Sequence, residues 1–156
     1  MESRNKRNLL YRVAEVQLSY SNPIPSSKMP VVTSSSEAYS VIMDSWQSES
    51  LELFERFRVL LMNTGNRVMG IYEASSGGIS GTVVDIRLLM VTALKATATG
   101  IIVFHNHPSG NLKPSTEDRK LTQRIDEAAN YLDIRLHDHL IVGSEGYLSF
   151  RDEGLL

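Results

Sequence analysis

The chain contains no cysteine, which excludes disulfide cross-links and cysteine-ligated zinc. Proline is scarce: three of the five prolines fall in the single stretch "SNPIPSSKMP", which reads as an extended connector. Long apolar runs are missing too. Nothing approaches the roughly 18 apolar residues of a spanning helix, so no membrane partner is expected. The amino end, "MESRNKRNLLYR", offers only Leu9, Leu10 and Tyr11 before Arg12, which is no signal-peptide apolar region. Charge of one sign is also lacking. Sixteen Lys and Arg stand against 18 Asp and Glu, for a net charge of −2. Such a balance gives no global electrostatic reason to bind nucleic acid, and the local exceptions, Arg4, Lys6 and Arg7, suit a solvated terminus. These absences lead to the expectation of a soluble, cytoplasmic, single-domain protein.

What is present supports a packed core. The 156 residues are 42% apolar, enough for one globular domain. "RVAEVQLSY" reads as an edge strand and, with the connector, makes residues 1–33 an N-terminal segment ahead of a domain over 34–156. In "SSSEAYSVIMDSW", Ser34 and Glu37 form a capping box, and Tyr39, Ile42, Met43 and Trp46 share a helix face. "SESLELFERF" suggests a second, short helical piece. "RVLLM" is a strand covered on both faces, "NTGN" a hairpin turn, and "RVMGIYEAS" the returning strand. "SSGGISGT" is too rich in Gly and Ser for an element and reads as a surface loop, with Gly77 to Gly81 a candidate flank of a groove.

"DIRLLMVTALKATATG" has helical spacing through Ile86, Leu89, Ala93 and Ala96, with Gly100 as the stop. "IIVF" is a buried strand, and "STEDRKLTQRIDEAANYLD" a helix with Leu121, Ile125, Ala128 and Leu132 on one side. "LHDHLIV", "GSEG" and "YLSF" give a strand, a turn and a last strand. The order predicts an α/β (α+β) three-layer sandwich with a mixed central sheet.

The chemistry concentrates in "HNHPSGNLKPSTED", His105 to Asp118. Residues i and i+2 of a strand project from one face, so His105 and His107 can converge while Asn106 points away. Pro108, Gly110 and Pro114 then turn the chain toward a helix whose first turn contains Asp118. Two neutral imidazoles and a carboxylate suit a zinc site with its fourth position left to water, the arrangement of a catalytic site. The same letters also spell an ordinary helix cap, with Ser115 at the N-cap and Asp118 answering it. A second pair at the same spacing, His137 and His139, flanks Asp138 but lacks a downstream carboxylate at a helix start. There His139 reads as a satisfied core or supporting histidine, and His137 as exposed.

"HNHPSGNLKPSTED" resembles the His-x-His-Pro-x6-Ser-x-x-Asp signature of the JAB1/MPN/Mov34 (JAMM) metalloproteases. Its wording, with Thr122 and the ending "LHDHLIVGSEGYLSF", is similar to the bacterial RadC-like branch over about Glu52 to Phe150. The helix-hairpin-helix segment that longer RadC-like proteins carry upstream has no match here, so the resemblance is to a short form.

It implies a JAB1/MPN, cytidine-deaminase-like fold with one Zn2+ per chain held by His105, His107 and Asp118. It also implies a glutamate general base, matched by Glu55 in "FERFRVLLMN" with Glu52 one turn away as competitor, and an oxyanion-stabilising serine, Ser115. The expected reaction is that of a zinc-dependent metallopeptidase or isopeptidase, in which a metal-bound water attacks an amide carbonyl of a peptide or isopeptide-linked protein. A DNA-repair-associated DNA-binding or nuclease role, and a metal-holding interaction module without turnover, remain as alternatives. A His2Asp set also tolerates iron or manganese.

Overall fold

Consecutive apolar residues in a strand must face opposite ways, so a run such as Val59 to Met62 needs cover on both sides. It has it. Val59 and Leu61 enter one core, while Leu60 and Met62 enter another. The computed structural model describes residues 20–46, 51–77 and 83–156. In chain order these form α1 (Ser35–Ser45), β1 (Arg56–Met62), β2 (Val68–Ser76), α2 (Ile86–Lys95), β3 (Gly100–Asn106), α3 (Thr116–Asn130), β4 (Arg135–Gly143) and β5 (Gly146–Ser149). The strands make one sheet in the order β2-β1-β3-β4-β5. All pairings are antiparallel except β3 with β4, which are joined through α3.

The two cores define the layers. On one face, Leu89, Met90 and Ala93 of α2 and Ile125 and Ala129 of α3 pack with Val59, Leu61, Ile101 and Val103. On the other, Ala38 and Ile42 of α1, with Trp46, pack on Leu60, Met62, Ile102 and Phe104. This is the expected three-layer α/β sandwich on a mixed sheet. Among the described residues no helix is long and apolar enough to cross a membrane.

Local chemistry explains most element ends. Ser34 accepts from the Glu37 amide while the Glu37 carboxylate accepts from the Ser34 amide, completing the expected capping box. The connector has no helix or strand apart from a 3-10 turn at Ser26–Lys28. Three expectations need correction. Residues 51–54 form a turn and β1 already begins at Arg56, so the described part of "SESLELFERF" is not helical. The reason is the buried Asn106 side chain, whose amide donates to the Leu51 and Phe54 carbonyls and captures groups a helix would pair internally.

Gly100 does not stop α2. Thr97 does, with φ 56°, as its amide and that of Ala98 bond back to Leu94 and Ala93. Gly100 instead opens β3, where an added Cβ would sit 2.3 Å from the His137 ring. Finally, α3 buries Thr122, Ile125 and Ala129, whereas Leu132, beyond its end, is 38% exposed. The expected N-terminal strand (except Tyr20) and most of the Gly-Ser loop lie outside the described residues.

The α3 register yields a stability test. Ile125→Ala removes a fully buried side chain and should lower unfolding free energy by roughly 2–5 kcal/mol in urea titration. Leu132→Ala should change it by less than about 1 kcal/mol. Equal effects would place the wrong face of α3 in the core.

Candidate metal centre

β3 carries its polar residues at its carboxyl end, the end at which sites in α/β sheets open. His105 is the last inward residue on the α2/α3 face and is fully buried, with its ring stacked on Phe57 at 5.8 Å. His107 follows just beyond the strand and is half-buried. Asn106, between them, turns to the opposite face as strand alternation requires. Its amide holds the 51–54 turn, and its Oδ1 accepts from the Arg56 amide at 2.8 Å. After the turn through Pro108 and Gly110, α3 starts and presents Asp118 to both rings.

The donor atoms converge. His105 Nε2 and His107 Nε2 lie 2.9 Å apart, His105 Nε2 is 3.2 Å from Asp118 Oδ1, and His107 Nε2 is 3.6 Å from Asp118 Oδ2. These separations bracket the roughly 3.4 Å between neighbouring donors around a tetrahedral zinc with bonds near 2.1 Å. His107 Nδ1 faces the Asn111 carbonyl, which only accepts, so Nδ1 carries a proton and, in the neutral ring, Nε2 keeps its lone pair. The donor set therefore fits a divalent cation.

Asp118 makes the cap and still presents a carboxylate oxygen to the imidazoles. Its Oδ2 accepts from the Ser115 amide and hydroxyl, each at 2.7 Å, and the Asp118 amide donates back to Ser115 Oγ at 3.0 Å. Its Oδ1 faces His105. Burial pushes the carboxyl's pKa up, but its interactions with His105, His107 and Ser115 outweigh burial and hold it well below its ordinary range. The Asp118 hydrogen bond raises His107 against the effect of burial, so protons compete there with a metal.

Glu55 and Glu52 part company. Phe57 pairs with His105 across β1 and β3, so Glu55, two residues back, extends the register toward His107. Glu55 lines an open cleft of about 650 Å³ together with Phe57, His107, Ser115, Asp118 and Leu121. Glu52 is exposed and lines a separate groove with Pro108, Gly110 and Gly143.

Of the rival histidines, His139 is buried as expected, 2.8 Å from His105 Nδ1 and clasped between Phe57 and Phe150. Burial, then the neighbouring His105, holds its pKa well below the ordinary value. His137 is half-buried rather than exposed, because it packs over Gly100 at the far end of the sheet. Burial and the nearby Arg135 and Arg151 lower its pKa. Among the described residues, His105, His107 and Asp118 are the group of metal-ligating side chains that converges, with ligand atoms within 4.8 Å of one another.

Comparison with known families agrees with this geometry. The RadC-like JAB domain family matches residues 32–155. The chain belongs to that family. It is 44% identical over 140 residues to a UPF0758 protein of Porphyromonas gingivalis, covering 87% of this chain and 60% of that one. It is 43% identical over 129 residues to a UPF0758 protein of Flavobacterium johnsoniae, covering 82% and 55%. It is 42% identical over 102 residues to the UPF0758 protein STH371 of Symbiobacterium thermophilum, covering 65% and 44%. The chain thus spans about half the length of the curated relatives it matches.

Two features of this JAB domain were not given roles by sequence reasoning. Asn106 was legible only as the residue pointing away from the site, although an amide forced into the opposite core is itself a signal of backbone capture. Thr122, buried on α3, bonds to His139 at 2.6 Å. Its hydroxyl is invisible to an apolar-stripe reading.

Asn106→Ala deletes three hydrogen bonds to backbone groups beside Glu55. At about 0.5–1.5 kcal/mol each, stability should fall by roughly 2–4 kcal/mol in urea unfolding. A change below about 0.5 kcal/mol would contradict the role assigned to this side chain.

Proposed function

We propose that this JAB domain is a zinc-dependent hydrolase acting on the amide or isopeptide carbonyl of a peptide or protein substrate. The observation that carries the reading is the convergence of two imidazole nitrogens and a carboxylate beside a cleft lined also by Glu55 and Ser115. His105, His107 and Asp118 hold the metal. When bound, zinc supplies Lewis acidity that makes a water nucleophilic near neutral pH.

The chain's own residues do the rest. Glu55, half-buried on the β1 side of the cleft, takes a proton from the attacking water and returns it to the leaving amine. Ser115 Oγ–H, which rests on Asp118 Oδ2, turns toward the developing oxyanion, while its oxygen still caps α3. Leu121 and Val84, beside Lys120 and Arg124, give the cleft both apolar and cationic walls for a polypeptide. Asp118 keeps its orientation during that swing, because the Ser115 amide still donates to Oδ2.

Metal analysis should find about one zinc per chain, lost in His107→Ala and Asp118→Ala, where an incomplete shell remains, and kept in His137→Ala. Full zinc in both ligand variants would remove the site.

Turnover is tested with panels of peptide and isopeptide-linked substrates, comparing metal-loaded with chelated protein. Glu55→Gln should keep zinc and fold while lowering turnover by roughly 10²- to 10⁴-fold, and Glu52→Gln should be near neutral. A loss in Glu52→Gln alone would move the base to Glu52. Hydrolysis indifferent to chelation would rule out the proposed chemistry.

A further inference from the structure

Two buried groups behind the metal centre, Thr122 and His139, have no part in the mechanism above. They form a chain of short contacts. Thr122 Oγ1 lies 2.6 Å from the Asp118 main-chain carbonyl and 2.6 Å from His139 Nδ1. His139 Nε2 lies 2.8 Å from His105 Nδ1, and His105 Nε2 faces Asp118 and His107. His139 is wholly buried, with Phe57 edge-on to its ring and Phe150 stacked on it at 4.5 Å.

The polarity of this chain follows from its first link. A carbonyl oxygen only accepts, so the single Thr122 hydroxyl proton must point at Asp118; otherwise two oxygens would face each other's lone pairs at 2.6 Å. Thr122 Oγ1 can then only accept from His139, which places that ring's proton on Nδ1. The neutral ring's Nε2 is therefore an acceptor, and His105 Nδ1 must be the donor to it. In the neutral ring, His105 Nε2 is then a lone pair aimed into the site.

We propose that Thr122 and His139 are positioning residues that fix His105 in its Nδ1–H tautomer, so that Nε2 stays free for the metal. The proposal rests on the metal-centre reading above. It adds that the ligand set is prepared from helix α3, whose first turn also supplies Asp118. His107 has its tautomer set directly by the Asn111 carbonyl, whereas His105 has its tautomer set two side chains away.

The test compares zinc affinity, by chelator competition, in the unmodified chain, Thr122→Val and Thr122→Ser, together with ring-nitrogen NMR shifts of His105 in the unmodified protein. Thr122→Val keeps the shape and loses the hydroxyl, and affinity should fall roughly 10- to 100-fold, the usual effect of losing a ligand-orienting partner. Thr122→Ser keeps the hydroxyl and should bind like the unmodified chain. A packing role predicts the reverse order, since valine retains the methyl group that serine loses.

In the zinc-free protein, His105 should carry its proton on Nδ1. Unchanged affinity in Thr122→Val, equal losses in both variants, or a proton on His105 Nε2 would overturn the relay. If the unmodified chain takes up no zinc, the metal reading fails by itself, and the His105 shifts still decide the tautomer.

Discussion

Everything at the end of β3 turns on one electrostatic problem. His105 Nε2, His107 Nε2 and the Asp118 carboxylate stand about 3 Å apart, with both imidazole protons committed to the opposite side of their rings. Lone pairs and a negative charge so disposed repel unless a cation lies among them. The surrounding fold maintains that arrangement. Phe57 stacks on His105, the Ser115 amide fixes Asp118, and the Asn111 carbonyl orients His107. The two-sided burial of β1 and β3 makes this platform rigid, as Val59, Leu61, Ile101 and Val103 anchor one core and Leu60, Met62, Ile102 and Phe104 the other.

A capping box and a metal-ligand role for Asp118 are compatible once the two carboxylate oxygens are considered separately. One oxygen satisfies the amino end of α3, and the other remains directed at His105. A helix start is a suitable place for such a group, because the unpaired amides and the dipole keep the carboxylate ionised without consuming both oxygens. The rotamer that caps the helix is thus the one that directs an oxygen at His105.

Much of this was legible in the sequence, for physical reasons that can be named. Strand alternation alone separates His105 and His107 from Asn106, and the apolar runs of β1 and β3 announce their double cover. The convergence of His105, His107 and Asp118 follows from spacing, and the resemblance to the RadC-like JAB domain is matched by family membership. The misreadings came from partners distant in the chain. Nothing local to "SESLELFERF" shows that Asn106, some fifty residues on, captures its carbonyls. Gly100 looked like a helix stop because the close approach of His137 is a tertiary fact. Likewise, a helix reading made Glu52 and Glu55 near-equivalents one turn apart. In the turn and strand that form instead, they line different grooves.

The central claim is that these three side chains form the inner shell of a divalent metal. X-ray absorption at the zinc edge on the reconstituted protein tests it most directly. The account predicts a four-coordinate shell of nitrogen and oxygen donors near 2.0–2.1 Å, with outer-shell scattering from two imidazoles. A six-coordinate, all-oxygen shell without imidazole scattering would contradict it.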